Sequence, residues 1–238
     1  MTRLYRKNEL TFALVWIALY VVLLSIADSL SADLGTQKII TAPLCILMSG
    51  VIFVWTRQNG LCEKYGLQKP QADGKRYLYF LPLAVIASSS LWFGFGMGLS
   101  AAEAALRVVS MLCVGFLEEI IFRGFLMKAI YPINARRAVI ISSVTFGLGH
   151  IVNLLNGAPL SSTLLQIVYA VALGFLFTII FLKTKSLIPC IATHSAINSL
   201  STFAREQTDG QLIAITVALA AISLLYAAYI LRANPEKG

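Results

Sequence analysis

"CVGFLEEIIFRGFL", residues 113–126, sets Glu118, Glu119 and Arg123 inside a run that is otherwise almost wholly apolar. A charged side chain at mid-bilayer costs about 2.5–3.5 kcal/mol on insertion scales, so three within a turn and a half of helix demand compensation and a purpose. The rest of the chain makes the bilayer the right reference. Of its 238 residues 58% are hydrophobic and 13% charged, and the mean hydropathy is +0.79. With about 20 apolar residues per crossing, spans are expected near 10–27, 39–56, 77–98, 106–130, 138–155, 163–182, 187–203 and 211–231. This predicts an all-α polytopic membrane helix bundle of about eight transmembrane helices, a single integral membrane domain over 1–238 whose short connectors leave no room for a soluble one. The third span contains "GFGMG" (94–98), which reads as a broken helix end or a re-entrant piece.

A net charge of +8 would suggest nucleic acid in a soluble protein, so its placement decides its meaning. With both termini cytoplasmic, that side collects Arg3, Arg6, Lys7, Arg57, Lys64, Lys69, Lys75, Arg76, Lys128, Arg136, Arg137, Lys183, Lys185, Arg232 and Lys237. The opposite side has only Lys38, Arg107 and Arg205, and Arg123 lies within the membrane. The basicity is a topology signal of the positive-inside kind, which removes nucleic acid as a partner and leaves the lipid bilayer. The first apolar run, 18 residues after the basic start, is longer than a signal-peptide core and reads as a retained helix. Cys45, Cys62, Cys113 and Cys190 have no paired spacing and read as reduced packing residues. No internal repeat or low-complexity segment is present.

The polar residues left inside spans carry the chemistry. Glu119 and Arg123 are four apart on one helix face, where a carboxylate pairs with a guanidinium. Glu118 points about 100° away and has no such partner at Phe122, so it is the carboxylate expected to be available for chemistry. The only two histidines are His150, in "TFGLGH" (145–150), and His194, in "ATHSAIN" (192–198). Asn198 shares a face with His194, and Phe146 with His150, while Gly147 and Gly149 allow a neighbouring helix to come close. Asn153 reads as a helix-end polar residue. Counted from the cytoplasmic helix ends at 1.5 Å per residue, Glu118, His150 and Asn198 each lie roughly 18 Å deep and His194 about 12 Å.

A carboxylate, two imidazoles and an amide at one level are the parts of a hydrolase. Amide hydrolysis needs a base for water, which Glu118 or His150 supplies, and donors for the oxyanion, which His194 and Asn198 supply. Ser195 points away from His194, and Cys113 has no basic neighbour, so neither makes a better nucleophile. Two other readings use the same groups. Zinc held by Glu118, His150 and His194 is a known catalytic ligand set, but HExxH spacing is missing. A transporter or non-proteolytic immunity protein would use them as a relay, but inverted repeats are missing.

At these residues the chain resembles a known family. "EEIIFR", "FGLGH" and "HSAIN" are similar to the EExxxR, FxxxH and HxxxN motifs of the CAAX-protease and bacteriocin-processing (CPBP, Abi) family of intramembrane glutamic endopeptidases. The loop "YGLQKP" (65–70) is similar to one that many members carry ahead of the core. The resemblance, over about 110–200, implies a catalytic core within 106–203. In it Glu118 and His150 activate water, His194 and Asn198 stabilise the oxyanion, Glu119 and Arg123 organise the site, and Phe146 packs near the substrate. It implies no cofactor, and zinc is not favoured. The compact length matches bacterial members, in which prenylated substrates are not expected. The expected substrate is a peptide or membrane protein arriving from the membrane or the cytoplasmic side, and the expected location is the bacterial cytoplasmic membrane.

Overall fold

The helices begin where short polar side chains satisfy the first free amides. After Thr2–Lys7 (α1), Asn8 accepts from the Thr11 amide at 2.8 Å and starts Glu9–Asp33 (α2). Thr41–Gln58 (α3) and Leu81–Ala87 (α4) follow, the latter with a proline in its first turn, where a missing N–H costs nothing. Ser100 and Glu103 form a capping box that opens Ala101–Glu119 (α5). The chain then runs as a π-helical stretch, Ile120–Met127, into Lys128–Ile130 (α6). Asn134 accepts from the Arg137 amide at 2.9 Å at the start of Ala135–Gly149 (α7). Leu160–Thr184 (α8), Ile188–Leu200 (α9) and Asp209–Ala233 (α10) complete an architecture that is all-helical among the described residues. The computed structural model describes residues 1–71, 80–96 and 98–233. Lys75, Arg76, the start of the span expected at 77–98, Met97 and the tail from 234 lie outside them.

Among the described residues, four helical segments are long and apolar enough to cross a membrane: Glu9–Asp33, Ala135–Leu154, Leu160–Thr184 and Asp209–Arg232. This is fewer than the eight spans expected, and the reasons are local. Helix α5 carries four charges, Glu103, Arg107, Glu118 and Glu119, in 19 residues. Helix α9 has 13 residues, about 20 Å of helix against a hydrocarbon core of about 30 Å. Within the third expected span the helix stops at Ala87 and a short 3-10 turn follows. The "GFGMG" stretch is then extended: Phe95 pairs with Ala204, and the Gly96 amide donates to the Phe203 carbonyl at 2.9 Å. Polar backbone of this kind is tolerated at membrane depth only where protein encloses it.

Helix α8 is the central post, with Ala170, Leu173, Gly174, Leu176, Phe177, Ile180 and Phe181 all buried. Helix α7 comes close to it at Gly147, where a Cβ would lie 3.0 Å from the Ile167 carbonyl oxygen and the Val171 amide nitrogen. Gly149, expected to serve likewise, has nothing nearer than Phe122 at 3.9 Å. Helices α5 and α9 meet at Gly115, whose missing side chain leaves room for Ser195, and Ser195 donates to the Leu112 carbonyl at 3.0 Å. The described part of the lysine-rich face is packed solid. Tyr5, Phe12, Trp16, Trp55, Tyr65 and Phe125 interlock edge-to-face there. The "YGLQKP" loop is stitched across the end of α8: the Leu187 amide donates to the Gly66 carbonyl at 2.8 Å, and the Gln71 amide to the Thr184 carbonyl at 2.9 Å.

Candidate active site

The two carboxylates of the opening stretch have different partners. Glu119 and Arg123 are fully buried and bonded to each other, Nη1 to Oε1, at 3.0 Å. The Arg123 guanidinium also lies over the Phe146 ring, 4.0 Å from its centroid, so desolvation is offset by a carboxylate and a π-face together. Gly174 makes room for it, since a Cβ there would sit 2.9 Å from Nη2. A second donor reaches the same Glu119 oxygen: His194 Nδ1, at 2.9 Å.

Glu118 is not unpartnered, contrary to the sequence expectation. Its Oε1 accepts from the Tyr20 hydroxyl at 2.7 Å, and its Oε2 lies 3.3 Å from His194 Nε2. Tyr20 belongs to α2, 98 positions earlier, where nothing in a local motif points to it. His194 thus stands between the two carboxylates, one ring nitrogen toward each. Facing a carboxylate, Nδ1 must carry its proton and donate.

The π-helical stretch is enclosed on every side. All eight residues Ile120–Met127 are buried, which an amphipathic α-helix with one apolar stripe does not achieve. Single π-turns inside α-helices occur often at functional sites. The Phe122 carbonyl within it accepts from the Ser142 hydroxyl of α7 at 2.9 Å.

A cavity of about 720 Å³ lies against this cluster. Glu118, His150, Asn198 and Phe146 are on its wall, so three of the four residues expected to be catalytic meet in one space. Tyr20 and Tyr169 join them. His194, Glu119 and Arg123 are not on the wall, and His194 meets it through Glu118, 3.3 Å from its Nε2. Phe146 holds the two histidines in place, with ring centroids 5.5 Å from His150 and 5.6 Å from His194, both edge-on. Asn153 is turned to Gln166 at 2.8 Å, a helix-end contact as its position suggested. Among the described residues no three His, Cys, Asp or Glu side chains are gathered as metal donors.

The cavity opens at one end of the bundle. Its wall takes Asp28 from the end of α2, Thr41 from the start of α3, Arg107 from the start of α5, Asn156 after α7, Ser162 from the start of α8 and Arg205 after α9. These are the helix ends away from Lys64, Lys128 and Lys185. Among the described residues, the lysine-rich end carries packed aromatic rings and the stitched loop.

A comparison with curated proteins gives no match. Residues 100–200, which carry all three motifs, match the family model described as type II CAAX prenyl endopeptidase Rce1-like, and it is to this model that the stretch is similar.

Proposed function

We propose that this chain is an intramembrane endopeptidase of the glutamic type that hydrolyses a peptide bond of a peptide or membrane-protein substrate without a metal. The observation that carries the reading is the convergence of Glu118, His150 and Asn198 on one cavity deep in an apolar bundle. Glu118, aimed by Tyr20, takes the proton from a water that His150 helps to hold, and the hydroxide attacks the carbonyl carbon. Asn198 on the wall and His194 just behind it, one helix turn apart, stabilise the oxyanion. Glu119 and Arg123 are positioning residues that keep His194 oriented and protonated on Nδ1. The protein resides in a membrane, with 106–203 as the catalytic core. With both termini cytoplasmic, as the basic residues suggest, the membrane is a bacterial cytoplasmic one and the cavity opens away from the cytoplasm.

The test is cleavage of a peptide library by purified protein, with Glu118→Ala and His194→Ala beside the wild type and with a strong zinc chelator present or absent. Loss in both variants with survival of chelation is the expected result. Activity lost to the chelator and restored by zinc overturns the metal-free step.

A further inference from the structure

The cavity extends well beyond the reacting groups, and its wall on α5 has a regular pattern. Arg107, Ser110, Met111, Val114 and Glu118 all face it. From Arg107 to Glu118 is eleven residues, which at 100° per residue returns to within about 20° of the same face, about 16 Å along the axis. One helix stripe therefore joins the proposed base to an arginine at the mouth.

That arginine has no acidic partner among the described residues. Its Nε is buried without a hydrogen bond. The nearest carboxylate along the helix, Glu103, is one turn away in good register for a pair. It is engaged elsewhere, with the Ser100 hydroxyl at 2.7 Å and the Gln37 amide at 3.4 Å. Lys38, which also lines the cavity, is neutralised by Asp28 at 2.7 Å. Arg205 is different. It lines the same mouth, forms no ion pair among the described residues, and is exposed. Its backbone is held there by the "FGFG" segment, the Arg205 amide donating to the Gly94 carbonyl at 3.2 Å, with Phe95 stacked on Phe203. Gly96 lets the two strands touch: a Cβ there would lie 3.3 Å from the Arg205 Cα.

Two guanidinium groups without counter-charges thus face a space that ends in a carboxylate and an imidazole. We propose that Arg107, with Arg205, forms an anion subsite that binds a carboxylate of an extended peptide substrate and so sets where the peptide is cut. The proposal rests on the endopeptidase reading for the cut and on the cavity alone for the binding. At about 3.3–3.6 Å per extended residue, 16 Å places the carboxylate four or five residues from the scissile bond. Two sources offer that group, a peptide's C-terminal carboxylate or an acidic side chain.

The experiment uses full-length Glu118→Gln protein in detergent and fluorescein-labelled ten-residue peptides of Ala and Leu. One peptide ends in a free acid, one in an amide, and one in an amide with a single Glu near that end. Binding is read by anisotropy, and the wild type is given the same peptides for cleavage. We expect the free acid, the Glu peptide or both to bind about tenfold or more tighter than the plain amide. Which of the two does so identifies the source. Adding Arg107→Gln should bring that ratio to near one, while Arg107→Lys keeps part of it. Arg205→Gln, on an exposed loop, gives a second reading should Arg107→Gln fail to fold. Equal binding of all three peptides, or a preference that survives both glutamine variants, overturns the subsite. An acid preference without cleavage by the wild type sinks the endopeptidase reading and leaves the subsite standing, and cleavage without an acid preference does the reverse.

Discussion

Arg107 and Arg123 stand on one continuous helical run, sixteen residues apart, and have opposite surroundings. Arg123 is fully buried, bonded to Glu119, stacked on Phe146 and fitted against Gly174. Arg107 is half-buried at a cavity mouth with no ion pair among the described residues. The same side chain serves at one end to hold the protein together and at the other to line an open cavity. The difference lies in what the neighbouring helices bring: α2 and α7 pack against the π-helical half, with Gly174 of α8 fitted to Arg123, whereas the α-helical half also lines a space.

The sharpest way to break the comparison is to remove both arginines in turn. Arg123→Met should cost about 3–5 kcal/mol by leaving Glu119 buried without its counter-charge, seen as a collapse of the thermal transition in detergent. Arg107→Met should stay within about 0.5 kcal/mol in the same assay. Similar losses from both would show that Arg107 is structural. The carboxylates repeat the contrast. Glu118→Gln should lower turnover by about 10²–10⁴-fold with little change in melting, because its amide oxygen still accepts from Tyr20. Glu119→Gln should lower the melting temperature through Arg123 and His194. Gly174→Ala tests the closed end alone, forcing a methyl within 2.9 Å of Arg123 Nη2 and 3.2 Å of Phe146 Cδ1, at a cost of about 1–3 kcal/mol. The smallest effect should come from Tyr20→Phe. Loss of one hydrogen bond to a carboxylate should lower kcat by about tenfold, leave KM nearly unchanged and barely move the melting temperature.

Much of this contrast was legible in single helices. The Glu119–Arg123 pair and the Phe146–His150 contact follow from four-residue spacing, and both are present. The shared depth of Glu118, His150 and Asn198 follows from helix rise, and all three line one cavity. What the chain's local pattern does not carry is any relation set by a distant helix. Tyr20 reaches Glu118 from α2, and His194 bridges two carboxylates because α9 is drawn onto α5 at Gly115 and Ser195. The π-helical turn leaves no compositional mark, since Ile, Phe, Leu and Met suit any buried helix. Hydropathy also does not set helix length, as with the 13 residues of α9.

The π-helical stretch has a consequence for how this segment can change over evolutionary time. A π-turn amounts to one residue absorbed into a helix without disturbing what lies on either side. Deleting a single residue between Ile120 and Met127 would restore α-helical winding with both flanks in place, while the residues inside the stretch shift register by about 100° each. Arg123 and its neighbours would then leave the partners they have on α2, α7 and α8. This stretch should accept exchanges among apolar side chains while refusing insertions and deletions, so that length, more than identity, is what inheritance has to preserve here.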